Sequence, residues 1–390
     1  MRALCFCFLA MLLCGNVAAG EHDVVLIRIL APAEPNAVQI ITEKGGYAIE
    51  ADGKRVLELG ESERFSIINN GSSLTLKTPS KSYGTFPRLE LQSLSDTGVF
   101  RLYVIRTNPD ERVYDDNLIF LPGSGSMQMI NQVGLEKYVA GVVEAETGKQ
   151  KPLEFYKVQA IISRTYALNN KSRYRKMGYD LNDQVDCQVY HGKARWEPDI
   201  LEAVEFTRGK VLVDSEMRMI TAAFHSNSGG ETVSSDIVWS GALSYLSPRK
   251  DEFSLTGEHA QWKRTIHRKE WLSYLQEKYD LNVDDKLINT MAVHYEQKNR
   301  HIYFLDPIFN IPLKHIRKDW ELNSTYFDIS PLGRDSLRFE GKGFGHGTGL
   351  SQEGAMRMAE LGFSYTDILH FYYNDVHVID LKALNFFRLE

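Results

Sequence analysis

From His22 to about Met127, apolar and polar residues alternate in short runs: VVLIRIL at 24–30, AVQIIT at 37–42, YAIEAD at 47–52 and SLTLKT at 73–78. A period of two sends one face of a strand to a core and the other to water. The GG, DG and NNG between these runs are turn signals, so hairpins are expected here. From about Gly134 the period lengthens to that of a helix, and a mixed helix and strand pattern runs to the C-terminus. The expected fold class is α+β, with a β-rich N-terminal region over 20–130 and a mixed α/β unit over 131–390. The change of pattern places the boundary near 128–133.

Within the first helical pattern lies GVVEAETG, 141–148, with two glutamates. On a helix starting at Gly134, residues Leu135, Tyr138, Val139, Val142 and Val143 follow the i, i+3, i+4, i+7, i+8 spacing of a buried stripe, and the next position on it is Glu146. Glu144 falls on the other side with Lys137, Ala140 and Gly141. A carboxyl at the end of an apolar face is desolvated, which raises its pKa and suits it to donate a proton. Thr147-Gly148 supplies the helix stop.

A second helix is expected from Pro152, a good first-turn residue. It places Arg164 on a face with Ala160, Ile161, Ala167 and Leu168. A buried guanidinium needs a carboxylate. One charge on the inner face of each of two consecutive helices leads to the expectation that Glu146 and Arg164 share a pocket; a purely structural ion pair is the other reading.

The N-terminus changes the picture of where this unit works. Arg2 precedes the apolar run Ala3 to Leu13 and the small-residue site Val17-Ala18-Ala19, the pattern of a secretory signal peptide over 1–19. The run is too short to span a bilayer, and no later segment is long enough to do so. Leu13 occupies the position where a small residue normally precedes a lipidated cysteine, so cleavage after Ala19 is expected rather than lipidation of Cys14. The mature chain is then exported, to the periplasm or cell envelope. Cys5, Cys7 and Cys14 leave with the signal, so Cys187 has no intramolecular partner.

The net charge of −6 argues against nucleic acid and against any acidic polymer held by bulk charge. Neutral polymers such as glycans remain open. GKGFGHGTGLSQEG, 341–354, carries glycine at every second position from Gly341 to Gly349 around His346, a spacing that lets backbone approach a ligand or another chain closely. It does not fit the dinucleotide fingerprint, and no phosphate-loop lysine follows. AAFHSNSGGET, 222–232, runs a strand into a turn with His225 and Ser228, small polar groups suited to a sugar cleft. SPRK at 247–250 lacks the partner motifs of a penicillin-binding serine enzyme. There is no HExxH and no CxxC, and the acidic residues around Asp183 and Asp186 read as a solvated loop.

Taken in order, YVAGVVEAE, KVQAIISRTYAL, YDLNDQVDCQVYHG, AVEFTRGKVLV, AAFHSNSGGET, VWSGALSYL and GKGFGHGTGLSQEG with its following helix resemble the SpoIID/LytB family of bacterial peptidoglycan proteins. The resemblance runs over roughly 112–380. The family's catalytic glutamate falls on Glu146, and Glu144 stands where its proline is usual. The family's arginine in ARTYA falls on Arg164. Asn182 and Asp186 replace a cysteine and a histidine that hold zinc in some members, so no structural zinc is expected, and no cofactor is implied.

The resemblance implies a SpoIID-like catalytic domain acting as a lytic transglycosylase on peptidoglycan glycan strands, by preference those without stem peptides. Glu146 would be general acid and base, with Arg164 orienting it or binding substrate. Tyr245, His225, Ser228 and His346 are candidates for the cleft wall. A cell-wall amidase that denudes the strands is the expected protein partner. The competing readings are a glycan-binding stimulator of such an amidase and a structural wall-binding module.

Overall fold

The computed structural model describes residues 24–105, 111–239 and 241–388, with side chains in the last helix described through Leu384. The expected signal peptide and Cys14 lie outside the described residues.

The alternating N-terminal runs form strands whose burial alternates as the pattern predicts, as in Val24–Ile29, where Val25, Ile27 and Ile29 are buried. One sheet has seven strands, in the order Leu181–Asn182, Val24–Ile29, Gln128–Gly134, Asn117–Leu121, Leu89–Ser93, Tyr47–Ala51 and Lys54–Leu59. A second has six, in the order Glu111–Asp115, Val99–Val104, Ala37–Lys44, Arg64–Asn69, Leu74–Lys77 and Ser82–Phe86. Residues of both belong to one apolar core, with Tyr47 of the first edge-on to Phe100 of the second. The pairings are antiparallel except that Val24–Ile29 runs parallel to Leu181–Asn182. The α+β class is therefore observed, and the two regions are tied by shared structure. The strand Gln128–Gly134 crosses the boundary expected at 130 and runs directly into the first helix.

That helix, α1 (Leu135–Thr147), and the next, α2 (Leu153–Asn169), form a hairpin; α3 (Pro198–Phe206) packs on both. Tyr138, Val139, Val142 and Val143 of α1 are fully buried, worth about 1.5–3 kcal/mol each in apolar burial. This core extends through α2 to the helices Gln352–Glu360 and Tyr365–Tyr372. Phe224–His225 pairs parallel to Leu350–Ser351, which brings the His225 and His346 segments side by side.

Residues 261–342 carry a second core. Strands Gln261–His267, Ser336–Lys342 and Phe327–Leu332 form an antiparallel sheet, covered by helices Arg268–Tyr279, Lys286–Val293 and Leu313–Asp319. Trp271 is fully buried there against Phe304 and Phe339, its indole N–H donating to the Ala292 carbonyl at 2.9 Å.

Candidate functional site

Gly148, with φ of 70°, ends α1, and the Thr147 hydroxyl closes the last turn by donating to the Val143 carbonyl at 2.7 Å. Glu146 occupies this turn, half-buried. One of its carboxylate oxygens accepts the Val189 backbone N–H at 2.8 Å. Burial raises the pKa of Glu146, and the single N–H bond opposes the shift. Among the described residues no cation forms an ion pair with it.

Glu144 has a different task. Its carboxylate accepts the backbone N–H groups of Arg195, at 3.0 Å, and of Trp196, at 2.7 Å. The two glutamates of GVVEAETG thus hold opposite ends of the segment 189–196 against α1. That segment covers Gly141, which the helical pattern placed on the outward side. At Gly141 a Cβ atom would come within 2.1 Å of the Gly192 carbonyl oxygen, so only glycine permits this approach.

Two clefts, of about 360 and 370 Å³, share Arg112 and His191. Val189, the hydrogen-bond partner of Glu146, lines the first, and Glu144 and Ala145, its neighbours in sequence, line the second. Burial, with the Arg112 charge, lowers the His191 pKa. Trp196, 58% exposed, stands at the second cleft with Arg195 and Lys149 over its ring. An indole so placed presents a flat amphipathic surface to a ligand.

Arg164 is fully buried, as its position among apolar neighbours predicts, but its carboxylate is Glu136 and not Glu146. Its Nε and Nη2 donate to the two Glu136 oxygens at 2.9 and 2.5 Å, and Nη1 donates to the Lys210 carbonyl at 3.0 Å. Glu136 lies in the first turn of α1 and Glu146 in the last, about 15 Å apart along the axis at ~1.5 Å per residue. The antiparallel run of α2 carries Arg164 toward the first turn. The expectation of a shared pocket is thereby corrected: Arg164 fixes the start of α1, while Glu146 sits at its end.

The remaining candidates separate into two groups. His225 and His346 come together, ring centroids 5.4 Å apart, with the Trp239 ring 5.6 Å from His346. Burial drives the His225 pKa well below the ordinary value and takes His346 down to about 4, so both rings are neutral at pH 7. Ser228 and Tyr245 are buried. Ser228 is fully buried and donates to Asp251 at 2.7 Å, in a network with Ser254 and Tyr372. The Tyr245 hydroxyl accepts the Thr221 N–H at 3.0 Å within the core.

Sequence reasoning missed the Val189 N–H, because backbone donors have no side-chain signature. It also missed Arg300 and Arg317, both facing the histidine pair, since neither sits in a motif. Tyr174 and Asn182 engage Asp186, and Cys187 is a buried free thiol. Among the described residues no group of three or more His, Cys, Asp or Glu is placed to hold a metal ion, and no helix is long and apolar enough to cross a membrane.

The family model described as SpoIID, stage II sporulation protein, matches residues 123–213, which include α1, α2 and the segment held by the two glutamates. Stage II sporulation protein D of Bacillus amyloliquefaciens is 32% identical over 276 residues, 66% of this chain and 78% of that protein. The chain belongs to the SpoIID family. Another relative of this SpoIID protein, uncharacterised, from Brachyspira hyodysenteriae, is 28% identical over 369 residues, 89% of this chain and 94% of its own length. The amidase enhancer of Bacillus subtilis is 28% identical over 285 residues, 60% of this chain and 39% of the enhancer.

Proposed function

We propose that this SpoIID protein is an exported lytic transglycosylase of the cell envelope, cleaving the bond between N-acetylmuramic acid and N-acetylglucosamine in denuded peptidoglycan strands. The observation that carries this reading is the environment of Glu146: half-buried, with no cation among the described residues paired to it, a backbone N–H bond from Val189, and a raised pKa. Burial shifts such a carboxyl toward its protonated form, the form a general acid needs.

In the reaction, protonated Glu146 gives its proton to the glycosidic oxygen as the C1–O bond breaks, releasing the N-acetylglucosamine hydroxyl. The carboxylate so formed takes the proton of the muramoyl C6 hydroxyl while that oxygen bonds to C1, giving a 1,6-anhydro end. No water is consumed, and Glu146 ends protonated as it began. One carboxylate suffices because the nucleophile belongs to the substrate, unlike the paired carboxylates of hydrolases. Arg164 acts as a positioning residue, fixing the helix that carries Glu146. Mass spectrometry of products distinguishes this chemistry directly, because a hydrolase would leave a reducing end one water heavier.

A second reading, a glycan-binding stimulator of a cell-wall amidase, is favoured by the likeness to an amidase enhancer and by the engagement of Arg164 away from Glu146. It requires that an amidase act faster on sacculi in the presence of the protein and that a Glu146→Gln variant stimulate equally.

A further inference from the structure

The β-rich region reaches the Glu146 site through one strand. Glu111–Asp115 is an edge of the six-stranded sheet, paired on one side to Val99–Val104. Its other side meets the segment 189–196. There the Val113 carbonyl accepts the Lys193 N–H at 2.8 Å, and a Cβ at Gly192 would lie 2.1 Å from the same oxygen. Lys193 Nζ reaches Asp115 at 2.8 Å. The segment whose Val189 N–H meets Glu146 is thus held from the β-rich side as well as from α1.

This strand places Arg112 in the wall of both clefts, together with His191. Arg112 Nη1 is buried without a hydrogen-bond partner, and among the described residues Arg112 forms no ion pair. The carboxylates that line the clefts are engaged elsewhere. Asp183 accepts the Leu30 N–H at 2.8 Å and the Gln184 side-chain amide at 2.6 Å. Glu144 accepts the N–H groups of Arg195 and Trp196, and Glu111 meets Arg101. A buried donor left unpaired is costly, and an acceptor on a ligand removes that cost. With carboxylates sharing these walls, a neutral acceptor fits better than an anion, and the strongest neutral acceptor is a carbonyl oxygen. Trp196, exposed at the second cleft, offers a flat face to a sugar ring.

We propose that Arg112 binds the acetamido carbonyl of an N-acetylhexosamine at the wall the two clefts share, Nη1 donating to that oxygen, with Trp196 against a neighbouring ring. The choice of sugar rests on the glycan reading above. A β-1,4-linked glucan without acetamido groups offers hydroxyls but no carbonyl, so Arg112 reads the substituent at C2. The β-rich region then contributes a substrate-binding residue to a site whose proton carrier lies on α1.

The test is calorimetric titration of the mature chain carrying Glu146→Gln, chosen to bind without turnover, with two neutral probes: the β-1,4-linked N-acetylglucosamine tetramer and cellotetraose, which has a hydroxyl at each C2. The acetamido tetramer binds about tenfold tighter or more, the order that a hydrogen bond to a charged group contributes. Arg112→Ala brings the two probes to parity by weakening the acetamido tetramer alone. Arg112→Lys keeps the charge without the planar fork and loses part of the preference, which keeps the test decisive if the alanine variant does not fold. Trp196→Ala weakens both probes alike, because stacking does not read C2. Equal binding of the two probes by the parent, binding of neither, or a preference undiminished in the folded Arg112 variants overturns the assignment. Anhydro products from the wild type beside such a result leave the chemistry at Glu146 standing, whereas an Arg112-dependent preference in a protein that cleaves nothing leaves the acetamido site standing without it.

Discussion

Glu146 and Val189 are 43 residues apart in sequence and joined by one hydrogen bond of 2.8 Å, from a backbone N–H to a carboxylate with which no cation among the described residues forms an ion pair. This contact ties Glu146 to Val189, which lines one of the two clefts. Burial disfavours the charged form and the N–H favours it; burial prevails.

The pH dependence follows with a definite sign. A carboxyl whose folded pKa lies above its unfolded value binds more protons folded than unfolded in the interval between, so its contribution to stability declines as pH rises through that interval. Glu146→Gln is therefore more stable than the wild type at pH 8 and equal to it at pH 3, by thermal melts at the two pH values. Activity follows the same group: the alkaline limb of kcat lies above the ordinary glutamate value of 4.5. A limb at or below 4.5 contradicts the assignment.

Arg164→Ala leaves the Glu136 carboxylate half-buried and unpaired and removes the bond to Lys210. Breaking one side of a buried pair costs about 3–5 kcal/mol, read as a lower urea midpoint with an unchanged slope. Activity lost should follow the unfolded fraction. An Arg164→Ala protein with wild-type stability and no activity would return Arg164 to a direct role in the reaction.

Gly141→Ala forces a methyl against the Gly192 carbonyl, and overpacking of this kind costs about 1–3 kcal/mol. Glu144→Ala releases the N–H groups of Arg195 and Trp196. Both changes loosen 189–196, so each raises hydrogen exchange at Val189 and lowers kcat, even though neither residue carries the proton. Unchanged exchange at Val189 in both variants contradicts the proposed clamp.

The stripe Leu135, Tyr138, Val139, Val142, Val143 was legible because one helical period and two end signals agreed, and all five are buried. The inward direction of Arg164 was legible from its neighbours for the same reason. Its partner was not: Glu136 sits on no apolar face, and which carboxylate a guanidinium meets depends on how α2 lies against α1. The burial of Gly141 depends on a distant segment, and a helical wheel contains no such information. Ser228 and Tyr245 were expected at the cleft wall, whereas the structure buries them with Asp251 and the Thr221 N–H as partners, and such partners have no signature in the sequence around either residue. The second core at 261–342 escaped notice because its mixture of helix and strand matches the pattern on either side.

His346 adds an acid-side prediction. A histidine whose folded pKa is depressed contributes stability that is present above its unfolded value and lost as pH falls. The wild type therefore loses stability between pH 6.5 and about 4, and a His346→Gln variant loses less over that window by chemical denaturation. Equal losses contradict burial of a neutral His346.

The central claim is that Glu146 carries the proton of a lytic transglycosylase. The direct measurement is mass spectrometry of denuded glycan strands incubated with the mature protein and with Glu146→Gln, both verified as folded. The account predicts 1,6-anhydromuramoyl fragments from the wild type and a rate about 10²–10⁴-fold lower from the variant, the range a positioned acid-base group contributes. Anhydro fragments released equally by both proteins, or strands left intact by the wild type, would contradict it.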